Sequence, residues 1–331
     1  MHIDLLMAVA GLFVGFIVGL TGMGGGALMT PVLVIFFNVN PLTAVSSDLV
    51  VSLVMKPVGG AVHAKRGTVN VPLVTWLAVG SVPSAFCGVL LLRAVGGDGP
   101  DLQSSVKTYL GWALIIAAAG IVLKALQTMR AKARSGDVEL PPVVVRPIPT
   151  ILIGAIGGLV VGMTSVGSGS LIIVALLFMY PGLKTAELVG TDLVQAVPLV
   201  GSAALSHIFF GDFQMDVASS VLIGALPGVY LGAHASARAS QAVVRRALVV
   251  VLTASALKLL GASNGQLLGY LALAVAVGTV VWAVVRQSDG LTRRPDRLDA
   301  AGAARAWFSA LTGRRQPTRR TRPHPDETVQ V

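Results

Sequence analysis

Gly19-Leu20-Thr21-Gly22-Met23-Gly24-Gly25-Gly26 returns later in the chain, altered, as Gly162-Met163-Thr164-Ser165-Val166-Gly167-Ser168-Gly169. Behind each copy lies an apolar stretch with an acid near its start and a histidine at its end. Asp48 and His63 in the first half answer to Asp192 and His207 in the second, each pair 144 positions apart. Gly67 and Gly211, Gly80 and Gly224, Pro83 and Pro227, and Gly88 and Gly232 keep that offset. A register held over so many positions marks an internal duplication. Duplicated membrane units with glycine-broken helices in corresponding places point to a transporter.

Composition says which solvent the duplicated unit meets. The chain of 331 residues is 54% hydrophobic and 12% charged, with a mean hydropathy of +0.79. Long apolar runs recur, such as Val71–Leu92, Leu110–Val122, Val217–Leu231 and Leu267–Val285, and the longest meet the ~20 residues that span a bilayer. The expected fold class is therefore an all-α polytopic membrane protein. The first apolar stretch lacks a basic lead-in and an obvious cleavage site, so it reads as a retained segment. Cys87 is the single cysteine, which excludes an internal disulfide framework, and its mid-span place reads as small apolar packing. The net charge of +10 does not imply nucleic acid, because its placement follows a membrane rule. Nine arginines lie in the tail 287–331, and Lys124, Arg130, Lys132, Arg134 and Arg146 flank a central linker. Such basic segments stay on the cytoplasmic side; contact with anionic headgroups is a second reading of the tail.

With the linker in the cytoplasm, each loop takes a side. Gly96–Ser105, with Asp98 and Asp101, falls outside; Lys65 and Arg66 fall inside; Asn38–Pro41 falls outside. In the second half Lys184 is inside, Phe209–Asp216 outside, and Arg238, Arg245 and Arg246 inside. Equivalent loops thus lie on opposite faces, so the repeats are expected to be inverted. Residues 4–37 and 149–182 must then each begin and end on one face. Their second arms, Ala27–Phe37 and Ser170–Met179, hold about half a bilayer of helix at ~1.5 Å per residue. Broken half-helices meeting near the midplane are expected, with full crossings as the alternative. The expected organisation is a first repeat over 1–127, a basic linker over 128–147 and a second repeat over 148–262. Each repeat is a glycine-broken short-helix pair followed by three transmembrane helices. An extra span over 263–286 and a disordered basic cytoplasmic tail over 287–331 complete it, in the cell's inner (plasma) membrane.

Glycines followed directly by a helix leave amide donors pointing at one spot, beside the positive end of the helix dipole, which suits an anion. Thr21, Thr164, Ser165, Ser168 and Ser170 add hydroxyls. The competing reading is that these small residues only let helices pack closely. Ionisable groups inside spans are functional candidates by default. Asp48, Ser52, Lys56 and His63 step along one face of segment 42–62, and Asp192, Gln195, Ser202 and Ser206 make a comparable stripe on 186–208. Lys56 has Val200 as its counterpart, so it is a lone cation suited to an anionic substrate. Asp48 and Asp192 are candidates to carry a coupling proton, with His63 and His207 behind them. Structural alternatives stand beside these: helix caps for Ser46-Ser47-Asp48 and Gly190-Thr191-Asp192, a structural ion pair for Lys56, interfacial positions for both histidines. Nothing has metal-ligand spacing, a nucleophile with a base, or a nucleotide loop, so no enzyme activity, metal or cofactor is expected.

The paired glycine turns, each with a short helix and a [Ser/Gly]-[Ser/Thr]-Asp-Leu-Val element behind it, make the chain resemble the TauE/SafE family of sulfite exporters. The likeness is greatest over residues 15–67, repeats over 157–211, and runs from about residue 4 to 285. The resemblance implies transport of sulfite, sulfonates such as sulfoacetate, or related organosulfur anions. It implies substrate-lining positions at Thr21, Gly24, Gly25, Gly26, Ser47, Asp48, Thr164, Gly167, Ser168, Gly169, Thr191 and Asp192, to which the polar stripes add Ser52, Lys56 and Gln195. Ser165 and Ser168 stand where the first copy has Gly22 and Gly25, so the half-sites are unequal. The expected partners are a small anion and the lipid bilayer, and the oligomeric state is left open, a homodimer being one option. An anion channel, an uptake carrier for another small organic anion and a non-transporting scaffold are the rival functions.

Overall fold

A computed structural model describes residues 3–21, 25–65, 67–97, 99–133, 143–167, 169–183, 185–235, 241–263, 265–266 and 269. The expected final span, the basic tail and most of the linker lie outside these residues. So do Gly24 and Ser168, and the side chain of His63. Among the described residues the chain is all helix: α1 Leu5–Thr21, α2 Gly26–Phe36, α3 Pro41–Lys65, α4 Val71–Gly96 and α5 Gly99–Ala133 come from the first half. Their counterparts are α6 Pro147–Thr164, α7 Leu171–Met179, α8 Thr185–Phe210, α9 Met215–Ala235 and α10 Gln241–Leu259. Each half therefore supplies a glycine-broken pair and three further helices, as the repeat predicts.

Local chemistry sets several boundaries. Asp4 Oδ1 accepts from the amides of Leu6 and Met7 at 2.8 and 3.2 Å and so starts α1. Asn70 Oδ1 does the same for Leu73 at 3.2 Å, with Pro72 in the first turn of α4. The loop expected over 96–105 shrinks, because α4 runs to Gly96 and α5 starts at Gly99. Pro100 and Asp101 favour that early start: a proline fits a first turn, and an acid there meets the helix dipole. At its other end α5 continues to Ala133, so the first part of the expected linker is helical. Helices α3 and α8 begin at Pro41 and Thr185, which overturns the capping alternative for Asp48 and Asp192: both lie inside helices.

The second arms are short. α2 has 11 residues and α7 has 9, about half of a ~30 Å hydrocarbon core at ~1.5 Å per residue. The first arms are longer, 17 and 18 residues. Among the described residues five helical segments are long and apolar enough to cross a membrane: Val71–Gly96, Gly99–Ala125, Pro147–Thr164, Ala186–Phe210 and Met215–Ala235. Their outer faces expose Trp112, Ile148, Ile156, Phe209 and Tyr230, large apolar surface that lipid accommodates. Cys87 is also exposed, on α4, so the packing role read from its sequence does not hold.

Packing interlocks the halves. α1 lies along α9 and α4 along α6, an arrangement unchanged when the halves are exchanged; α3 packs on α8 and α5 on α10. Both apolar cores are consequently composite. One gathers α1, α2, α5, α9 and α10 around Met29, Leu33, Leu114 and Leu252. The other gathers α4, α6, α7 and α8 around Leu77, Val161, Leu176 and Leu199. The long seams are glycine seams. A Cβ on Gly11 or Gly15 of α1 would stand 2.5 Å from the carbonyl oxygens of Val221 and Ala225 on α9. Gly154, Gly158 and Gly162 of α6 meet Leu77, Ser81 and Ala85 of α4 in the same way. Small-xxx-small spacing of this kind lets membrane helices touch backbone to backbone. Gly15→Val should therefore cost the upper part of the ~1–3 kcal/mol typical of overpacking, read as lost monodisperse protein in detergent.

Candidate functional site

The two glycine runs meet. A Cβ on Gly26, the first residue of α2, would overlap the backbone carbonyl of Ser165 and lie 2.7 Å from Ser165 Oγ. Ser165 ends α6 in the left-handed conformation, φ 59°, with its amide on the carbonyl of Val161. That turn aims the hydroxyl across the interface, where it donates to Asp48 Oδ2 at 2.7 Å. Thr30, one turn into α2, donates to the same oxygen at 2.9 Å. Asp48 of the first half is thus held by one hydroxyl from each half. No reciprocal serine exists for Asp192, because the counterpart of Ser165 is Gly22.

Asp48, Ser52 and Lys56 run down the buried side of α3, at 0%, 2% and 6% exposure. Facing them, α8 contributes Asp192 and Gln195, both buried. The Lys56 ammonium is in electrostatic reach of Asp192 and Asp48, and Lys124 on α5 adds to the field at Asp192. Gln195 Nε2 donates to Ser81 Oγ of α4 at 2.7 Å. Among the described residues four buried side-chain atoms have no hydrogen-bond partner, two on α3, Asp48 Oδ1 and Ser52 Oγ, and two on α8, Asp192 Oδ1 and Gln195 Oε1. Each such atom costs about 1–3 kcal/mol if left unsatisfied, which makes these buried faces of α3 and α8 the candidate site. Gly25 borders it: a Cβ there would lie 3.7 Å from Ser52 Oγ and 3.9 Å from Asp48 Oδ1.

Other expected residues are used differently. The hydroxyls of Ser202 and Ser206 donate to the carbonyls of Val82 and Phe86, both at 2.6 Å, and so fasten α8 to α4. Ser47 donates to the carbonyl of Gln214 at 3.5 Å, and Thr191 Oγ1 accepts from the amide of Asn70 at 3.0 Å. These equivalent positions brace equivalent interhelical loops. Thr21 donates to the carbonyl of Ile17 at 2.8 Å and Thr164 to that of Val160 at 2.6 Å, inside their own helices. In the second run the Gly167 carbonyl takes the amides of Ser170 and Leu171 at 3.3 and 2.9 Å, so the expected anion cradle is largely filled by the chain itself. Gly169 is in the turn that follows, ahead of α7. In the first run the Gly25 carbonyl takes the amides of Leu28 and Met29, and no side chain caps α2. α7 likewise has no side-chain cap, so the two copies are alike in this respect.

His207 is not interfacial. It is fully buried, its Nε2–H donates to the Gly162 carbonyl at 2.6 Å, and its Nδ1 lies 2.8 Å from Ser46 Oγ. It joins α8, α3 and the second glycine run. Arg93 of α4 donates to the carbonyls of Phe210 and Gly211 at the end of α8. Sequence reasoning passed over Thr30 and Ser81, read Lys124 only as a charge flanking the linker, and did not find that Ser165 pairs with Asp48. Their partners are distant in the chain, although Thr30 lies within one turn of a singled-out motif.

Long apolar helices, interlocked repeats and a buried polar cluster where two broken helices meet define a membrane transporter. The chain belongs to the TauE/SafE family: it matches the description "Sulfite exporter TauE/SafE" over residues 7–259. It is 37% identical to the "Probable membrane transporter protein YjnA" of Bacillus subtilis, over 76% of this chain and 97% of that protein. The "Probable membrane transporter protein YdhB" of the same organism is 24% identical, over 78% of this chain and all of the relative. A "Probable membrane transporter protein" of Xylella fastidiosa is 25% identical, over 75% and 91% of the two chains. No solved structure matches the chain.

Proposed function

We propose that the protein is a secondary transporter of small sulfur-containing anions, such as sulfite, sulfoacetate or related sulfonates, working by alternating access of inverted repeats. The observation that carries this reading is the contact of the two glycine turns over Asp48, Ser52 and Lys56, with unpartnered oxygens on both α3 and α8. The anion is held by Lys56 and the first amides of α2, near the middle of the bilayer. Few strong contacts suit a carrier, which must bind and also release.

Support for inversion is the exchange symmetry of the helix contacts together with loop charges that fall on opposite faces for equivalent loops. The same charges support a cytoplasmic C-terminal tail, in what we read as a plasma-membrane protein. Export is the direction that the family's name suggests. Asp48, Asp192 and His207 are the candidates for a coupling proton. Labelled sulfite, sulfoacetate and taurine, offered to vesicles with and without a pH gradient, test the reading. Saturable sulfite or sulfoacetate flux that responds to the gradient supports a coupled carrier, and no flux of any of them removes the substrate class.

A further inference from the structure

We infer that Asp48 and Ser52 form a site for a positively charged hydrogen-bond donor of ammonium type, so that the transported anion is matched by a cation at this place. The inference deepens the function proposed above and rests on it only for the anionic end of the ligand. Asp48 spends Oδ2 on two protein donors, Thr30 and Ser165, while its Oδ1 has none. One helical turn along, Ser52 Oγ is likewise unpartnered, at 2% exposure. The two atoms do not bond each other, yet both stand around one point beside Gly25, 3.9 and 3.7 Å from where its Cβ would be. Met55 Cε closes the other side of that point at 3.9 Å, and the absence of a Cβ on Gly25 leaves the point itself open beside the two oxygens.

Chemistry selects that atom. An ionised carboxylate only accepts hydrogen bonds. A sulfonate head also only accepts, and against Asp48 Oδ1 it would be a like charge. It belongs instead with the three N–H donors of Lys56 and the amide donors that begin α2. Whatever satisfies the ionised Asp48 Oδ1 must bring a proton, Ser52 Oγ can accept a second from the same group, and a charge-assisted bond is the strongest form. A metal ion is poorly served. No group of three or more His, Cys, Asp or Glu side chains gathers among the described residues, whereas hard cations take about six oxygens. An ammonium needs fewer. It arrives on the substrate itself, next to the acidic head, or as a separate ion moving with the anion.

Detergent-purified protein titrated with ethanesulfonate, 2-aminoethanesulfonate, methylammonium chloride and choline chloride at matched ionic strength tests this by calorimetry and thermal shift. 2-Aminoethanesulfonate is expected to bind about 10- to 100-fold tighter than ethanesulfonate, the worth of one charge-assisted hydrogen bond. That outcome puts the cation on the substrate. Strengthening of ethanesulfonate binding by methylammonium, but not by choline, makes it a separate ion. Either gain should vanish in Asp48→Asn and shrink in Ser52→Ala, the second variant keeping the carboxylate and its two donors. Equal binding of both sulfonates with no effect of methylammonium overturns the inference, as does a gain that survives in both folded variants. Wild-type protein that responds to methylammonium and to no sulfonate keeps the cation site and removes the sulfur-anion reading.

Discussion

Lys56→Met is expected to abolish saturable transport and to destabilise the folded protein at the same time. Lys56 is buried and faces Asp192 and Asp48. Removing one partner of a buried charge pair leaves the other uncompensated, at about 3–5 kcal/mol. The loss should be visible as a lowered unfolding temperature in detergent. Lys56→Met combined with Asp192→Asn removes the stranded charge and should recover most of that stability, because a neutralised pair is often as stable as the ionic one. Transport should not recover, since the anion still lacks its cation. This double variant separates the two readings of Lys56: if flux returns with stability, the lysine is a structural ion pair and nothing more.

The second large effect is a contrast between neighbouring glycines. Gly26→Ala puts a methyl group into the backbone carbonyl of Ser165, and rigid backbone on both sides cannot yield by a side-chain rotation. The turns must separate, and with them goes the Ser165 bond that orients Asp48. Misplacement of a site by ~1 Å costs on the order of 100-fold in rate, and flux should fall by about that much. Gly25→Ala meets nothing closer than 3.7 Å, so it should fold. Its methyl group occupies the space beside Ser52 and Asp48, and a misplaced methyl in a pocket is worth roughly 10- to 100-fold. That loss should appear in KM rather than in the amount of protein. Wild-type flux in Gly26→Ala, or an unchanged KM in folded Gly25→Ala, would break the geometric argument.

Much of this was legible in the chain because it is periodic or local. The duplication follows from glycines and acids at a fixed offset, and the spans follow from long apolar runs. The polar face Asp48, Ser52, Lys56 follows from helical spacing, and all three are buried together. What escaped is what depends on a partner far along the chain. Ser202 and Ser206 continue the stripe of Asp192 and Gln195, yet their hydroxyls belong to α4 carbonyls. Ser165 looked like a departure from the glycine pattern, and its αL turn instead carries it to Asp48, 117 positions away. His207 read as a loop-side residue because α8 ends three positions later, but α3 and α6 cover it. The glycines divided as well. Gly19 and Gly162 close the helix seams, while Gly25 and Gly26 border the candidate site, so close packing accounts for only part of the motif.

Counterflow in proteoliposomes tests the central claim most directly: vesicles loaded with unlabelled sulfite or sulfoacetate, diluted into trace label, with Gly26→Ala beside wild type. The account predicts transient concentration of label inside wild-type vesicles, saturating with substrate, and its loss in folded Gly26→Ala protein. Conductance without counterflow would make the protein a pore, and undiminished counterflow in Gly26→Ala would place the substrate somewhere other than between the glycine turns.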